Sequence, residues 1–236
     1  MPNKKTVITN TIICSILLVL GFLVSTLNIN QTYLTVTAPL TNGNCSSNQV
    51  GLMIIIDDPA LANNLPTIIE TLNRAEASAT FFFTGSAAIN NLELLQNIAT
   101  NFEVGNYGFS NIALNVADKN LITEEIRLGD ALINSLTHTQ TQIFTPPAKL
   151  FNKHTLAMAH NLGYTTILPT ERDVVIDWNT ADSNLVFSYA TYNVQAGDII
   201  VLKPTTATMQ CFSQVAATYL TNELKITSLG HLLQLS

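Results

Sequence analysis

The chain has 236 residues, with 10 Lys+Arg against 16 Asp+Glu and a formal charge of −6. Apolar residues make up 47%, enough to bury a core, and only 11% are charged, which excludes a disordered, charge-rich chain. Without a Lys/Arg cluster it lacks the cations that a phosphate backbone requires, so nucleic acid is excluded as a partner, and no zinc finger, Walker loop or dinucleotide fingerprint is present.

Lys4 and Lys5 precede an apolar run, Ile12 to Leu27, that extends back to Val7. Residues 7–28 suffice for one transmembrane helix, and the lysines ahead of it place residues 1–6 in the cytoplasm and the body outside. A cleaved signal peptide, and hence secretion, is the alternative, with Val24-Ser25-Thr26 as the best but weak cleavage site. Cys14 lies inside the run, which argues against a lipoprotein site. Cys45 and Cys211 stand either as a disulfide or as two free thiols. Residues 29–47, rich in Thr and Asn, read as a linker to a domain over 48–236.

The domain alternates strand and helix. Val50 to Ile56 is a continuous apolar run that fits a strand buried on both faces, ending at Asp57-Asp58-Pro59. Pro66 starts a helix with Ile68, Ile69 and Leu72 inward. Ala79 to Thr84 is the second strand. Ile89 to Ile98 reads as helical, with Leu92, Leu95 and Ile98 or their neighbours on one face. Phe102 to Gly105 is a short strand. Ile126, Gly129, Leu132, Ile133 and Leu136 repeat at helical spacing. Gln142 to Phe144 is a strand stopped by Pro146-Pro147, and Asn152 caps a helix that Gly163 ends. Strands follow at Tyr164 to Leu168 and Asp198 to Leu202. A helix near Phe212 to Glu223 and a strand at Leu224 to Thr227 close the chain. Six or seven such units predict an α/β fold with a parallel sheet, open or closed into a barrel. Chemistry in such folds gathers where the strands end.

Those ends read Asp57-Asp58-Pro59, Thr84-Gly85, Gly105-Asn106-Tyr107-Gly108-Phe109-Ser110-Asn111, Thr145-Pro146-Pro147, Asp177-Trp178 and Leu202-Lys203-Pro204. In this order and spacing, over roughly residues 50 to 233, the chain resembles the polysaccharide deacetylases with a NodB-homology domain, carbohydrate esterase family four. That family reads T-F-D-D-G-P, A-T-F-F, G-N-H-T-x-S-H, R-P-P, D-W and L-H-D, and closes near a phrase that stands here as Ile226 to Leu233. The resemblance implies a distorted (β/α)7-type barrel. It also implies a metal-dependent amidase acting on N-acetyl sugars, with zinc held by the second aspartate and two histidines.

Carried over, Asp57 takes the place of the family's base and Asp58 that of the metal-ligand aspartate. Tyr107 and Asn111 replace both metal histidines, Thr145 replaces the arginine that orients the base, and Lys203 replaces the acid histidine. Asp58 alone is a poor zinc site, an Asn carbonyl suits harder cations, and a Tyr phenol must ionise to bind. His154 and His160 lie six apart on one predicted helix, on different faces; His138 ends another helix, and His231 belongs to the terminal segment. No cofactor is therefore expected, or zinc if the family activity survives. Asp57 and Asp58 then need a cation, and Lys203 at the same mouth is expected to supply it as an ion pair, with a role as an acid the alternative.

Each motif also has a structural reading. Asp57-Asp58 suits a helix N-terminus, and Pro146-Pro147 shapes a turn. Tyr107, Phe109 and Trp178 either line a sugar groove, with Pro146, Pro147 and Asp177 around them, or fill the barrel mouth. The chain is thus expected to be a membrane-anchored, extracytoplasmic deacetylase-like protein with a degenerate metal site that binds an envelope or extracellular glycan, or a partner. The alternatives are an active deacetylase with an atypical metal site and a structural envelope protein. Beyond Lys4 and Lys5 the body carries −8 (−6 less two positive charges), which weighs against anionic glycans.

Overall fold

The computed structural model describes residues 38–138 and 140–235. The predicted cytoplasmic residues 1–6, the anchor over 7–28 and the first part of the linker lie outside the described residues. Among the described residues no helix is long and apolar enough to cross a membrane.

The scaffold is a parallel sheet of seven strands. β1 (Gln49–Ile56) is its central strand. The strands β2 (Thr80–Phe83), β3 (Glu103–Asn106), β4 (Ile143–Phe144) and β5 (Thr165–Thr166) run outward from it on one side. β6 (Ile199–Leu202) pairs with β1 along Gly51 to Ile54, and β7 (Lys225–Thr227) pairs with Gln49 to Gly51. Every pairing is parallel. β1 is buried on both faces, which explains its unbroken apolar run. Leu52, Ile54 and Ile56 meet the outer helices, while Met53 and Ile55 face an inner cluster with Phe82, Ile143 and Ile199.

The sheet is an incomplete barrel, because β5 and β6 do not pair. Irregular chain spans the opening. Leu40 bridges to Ile167, and Asn42 bridges to Asp198. The Leu40 N–H donates to Thr166 O at 2.9 Å and the Gly43 N–H to Gly197 O at 2.7 Å. Thr170 joins the same seam, donating from Oγ1 to Thr41 O (2.6 Å) and accepting there from the Ile199 N–H (2.8 Å). Residues 40–43, at the end of the predicted linker, are therefore part of the barrel wall.

The helices pack outside. α1 (Leu65–Arg74) carries Pro66 in its first turn and buries Leu65, Ile68 and Leu72, with Ile69 partly covered. The helix expected over 89–98 is α3 (Leu92–Asn101), which buries Leu95 and Ile98 and leaves Leu92 exposed, and a separate short helix, α2 (Gly85–Ile89), precedes it. Asn90 and Asn91 cause the break: their side-chain amides donate back to Ser86 O and Ala87 O, competing with helix continuation. α4 (Lys119–Thr137) is capped by Asp118, and α5 (Lys153–Asn161) by an Asn152/Thr155 capping box. α6 (Ser183–Thr191), capped by Asp182, has no counterpart in the sequence expectations. α7 is Thr206–Thr221, and α8 is Leu229–Leu233. Cys45, exposed, and Cys211, buried in α7, are both free thiols.

α8 plugs the end of the barrel where strands begin. Leu229 and Leu232 enter the inner cluster. Glu103, first in β3, accepts from the Gly230 N–H (3.0 Å) and from Thr80 Oγ1, and Thr80 Oγ1 accepts from the Leu229 N–H (2.8 Å). The opposite end, where strands stop, stays open for a site.

Inner space is tight near the middle of β3, where a Cβ on Gly105 would run into the Phe82 ring. Gly105→Ala is expected to destabilise the domain by about 1–3 kcal/mol. Urea unfolding should show a lower midpoint with an unchanged slope.

Candidate functional site

Alternation along β1 decides which aspartate enters the site. Met53 and Ile55 point inward, so Asp57 continues that face at the mouth. Asp58 turns away. Its Oδ1 accepts from the Ala60 N–H at 2.9 Å and caps the 3-10 turn Pro59–Asn64. It does not line the cavity, so the residue expected at the metal-ligand position serves there as a cap.

Lys203 follows β6 directly, and β6 is hydrogen bonded to β1, so the two strand ends deliver their next side chains to one place. Lys203 Nζ donates to Asp57 Oδ2 at 2.5 Å. The expected ion pair is formed, with side chains 24% and 12% exposed. The Lys203 backbone is pinned as well: its carbonyl accepts from Thr208 Oγ1 (2.6 Å) and the Thr205 N–H (2.8 Å), and Asn64 holds Pro204 O (2.8 Å).

Tyr107, immediately after β3, is 2% exposed and reaches the same cavity. Its hydroxyl oxygen accepts from the Ala148 N–H at 2.9 Å. Burial pushes its ionisation up to about 12, with the Asp57 charge acting in the same direction. The phenol is therefore neutral at pH 7. Thr145 and Pro146, after β4, also line the cavity. Ala148 and Lys149 follow with left-handed backbone, φ 52° and 59°.

The second histidine position of the motif is not brought in. Asn111 is exposed, at φ 56°, and does not line the cavity. Glu125, buried on α4, shapes this loop by accepting from the Phe109 N–H (3.0 Å) and the Ser110 N–H (2.7 Å). Phe109 packs on Gly85 rather than in the groove. Asp177 closes a turn, accepting from the Asn179 N–H (3.0 Å) and Thr180 Oγ1 (3.1 Å), and Pro147 begins the turn to Lys149. Of the expected groove residues, Pro146 and Trp178 line the cavity, while Pro147, Asp177 and Phe109 do not.

The cavity measures about 360 Å³, within the range of small-ligand sites. Much of its wall comes from the long connection between β5 and α6, of which the sequence motifs mark only Asp177 and Trp178. Arg172, Val174, Val175, Ile176 and Trp178 all lie on it. Its length without regular structure is the signal that marks it, since such loops are commonly functional. Trp178 packs edge-to-face on Tyr189 of α6, centroids 5.7 Å apart.

These residues do not fit the zinc site that the resemblance implies. The Asp57 carboxylate is taken by an ammonium, Tyr107 is a neutral phenol, and Asp58 and Asn111 face elsewhere. Among the described residues, no three His, Cys, Asp or Glu side chains group so as to hold a metal. His138 ends α4, His154 and His160 lie on α5, His231 lies on α8, and none lines the cavity. The site has mainly apolar and aromatic walls, with Lys149 and Arg172 among them, and a closed ion pair at its base.

Breaking a buried pair strands the remaining charge. Lys203→Met is expected to cost about 2 kcal/mol, lowered from the fully buried case by the exposure of Lys203. Adding Asp57→Asn to it should recover most of the loss in a denaturant double-mutant cycle.

A model of the polysaccharide deacetylase family matches residues 46–167. A peptidoglycan-N-acetylglucosamine deacetylase of Bacillus cereus is 22% identical over 157 residues, covering 66% of this chain and 73% of the relative. The protein YlxY of Bacillus subtilis is 24% identical over 174 residues, 73% of this chain and 53% of its own length. Among solved structures, a family 4 carbohydrate esterase pseudoenzyme from Bacillus anthracis superposes with a TM-score of 0.76 at 23% identity, over 83% of this chain and 68% of that one. A family 4 carbohydrate esterase of Bacillus subtilis gives 0.74 at 17% identity, over 82% and 84%. These likenesses show the fold.

Proposed function

Since the chain belongs to the polysaccharide deacetylase family, as a divergent member with a NodB-homology domain, we propose that it binds a cell-envelope or extracellular glycan in this cavity without hydrolysing it. One observation carries the reading: Lys203 Nζ sits on Asp57 Oδ2 at 2.5 Å. In the family that carboxylate takes a proton from metal-bound water. Here it is engaged by a fixed cation and faces no second ligand. The Bacillus anthracis fold relative is itself described as a pseudoenzyme.

The binding half of the proposal rests on what the site retains. Trp178, partly exposed in the cavity wall, offers a ring face of the kind that packs on sugars, with the buried Tyr107 and Pro146 behind it. The proposed location follows from Lys4, Lys5 and the apolar run over 7–28, which would anchor the chain in a membrane with the domain outside the cytoplasm.

The test uses the full chain in detergent micelles. Incubation with N-acetylchitotetraose and zinc should release no acetate above the level of the Asp57→Asn variant. Calorimetric titration with the same tetramer should show saturable binding, weakened roughly tenfold by Trp178→Ala. Zinc-dependent acetate release would make the protein a working deacetylase. A folded protein that binds no glycan would make it a structural component.

A further inference from the structure

The cavity wall carries a charge opposite to that of the body around it. Beyond residue 38 the chain has eight Lys and Arg and sixteen Asp and Glu. Three of the eight cations line the cavity, Lys149, Arg172 and Lys203, whereas Asp57 is the sole acid among its lining residues. Asp57 balances Lys203, and Asp198, behind the wall, balances Arg172 at 3.2 Å. Lys149 forms no ion pair among the described residues. Glu171 and Asp173 flank Arg172 in sequence but are exposed and do not line the cavity.

Two further features single out these cations. Arg172 is 7% exposed, and while its terminal nitrogens bond to Asp198 and to Tyr192 O, its Nε–H has no partner. Buried donors are normally satisfied, so Arg172, a residue of the cavity wall, keeps donor capacity that its own surroundings leave unused. Lys149 stands at the rim on consecutive left-handed residues, a backbone that L residues adopt at a cost. The same turn delivers the Ala148 N–H to the Tyr107 hydroxyl, so Lys149 is tied to the cavity floor.

Resting on the reading of this cavity as a glycan site, we infer that its ligand is a saccharide bearing an anionic group, a carboxylate or a phosphate. The sugar ring packs against Trp178, and the anion is drawn by Lys149 and Arg172. This reverses the expectation from net charge. The acidic body acts at long range and is screened within a Debye length, whereas Lys149 at the rim, which forms no ion pair among the described residues, acts at contact.

The experiment measures equilibrium binding of the full chain to tetragalacturonate, glucose 6-phosphate and N-acetylchitotetraose, in about 50 and about 300 mM salt. Wild type should bind one of the anionic sugars about tenfold more tightly than the neutral tetramer at the lower salt, and the advantage should shrink several-fold at the higher. Whichever anion is preferred identifies the group, and either supports the inference. Lys149→Glu, a change at an exposed position, should abolish the preference, weakening anionic-sugar binding about tenfold more than neutral-sugar binding in a protein that still melts cooperatively. Equal affinity for neutral and anionic sugars overturns the inference and leaves the glycan site standing. Absence of binding to all three by folded protein overturns both.

Discussion

The contact between Lys203 and Asp57 is the constraint around which the site is organised. It arises from the sheet itself. β1 and β6 are hydrogen-bonded neighbours in parallel, so the residues that follow them emerge side by side, and with these two side chains the result is a salt bridge. An ammonium and a divalent metal both neutralise a carboxylate, but they differ in what else they offer. A catalytic metal keeps an open coordination position and acidifies bound water. A lysine has neither property. Lys203 therefore keeps the mouth of the barrel electrically balanced through an ion pair that offers no open coordination position.

Other substitutions are consistent with this exchange. Tyr107 puts a buried neutral phenol where a histidine is expected, and its hydroxyl is engaged by the turn that carries Lys149. The loop after it is anchored at Phe109 and Ser110 by the buried Glu125, while Asn111 stays in solvent. What remains is shaped by the β5–α6 connection. That connection is fastened to the strap at residues 40–43 through Thr170, a residue of the cavity wall. The segment that enters the domain from the N-terminal side is thus one hydrogen bond away from the site.

Much of the scaffold was legible in the sequence. β1, β2 and β6 are buried on both faces and announce themselves as apolar runs. α5 was marked by Asn152 and Gly163, and the pairing of Lys203 followed from charge balance once the strand ends were aligned. The break between α2 and α3 was not legible, because Asn90 and Asn91 act by bonding back to the backbone and leave the apolar spacing intact. α6 has the helical signals of an Asp182 cap and of Val186, Tyr189 and Ala190 at i, i+3 and i+4, but it is short and follows a long irregular connection, and the sequence expectations do not include it. The site was read in part. Asp57, Tyr107, Thr145, Pro146, Trp178 and Lys203 converge as placed. Asp58, Phe109, Asn111, Pro147 and Asp177 do not, since a motif fixes neighbours in sequence while the direction of each side chain is decided by strand alternation and turn geometry. Arg172 and Lys149 carry no local signal, and their convergence is a tertiary fact.

The central claim is that Lys203 holds Asp57 in place of a metal. A crystal structure of the full chain grown in millimolar zinc at neutral pH tests it most directly. The account predicts Lys203 Nζ within hydrogen-bond distance of Asp57 and no anomalous zinc signal in the cavity. Zinc bound to Asp57, with the lysine displaced, would contradict it.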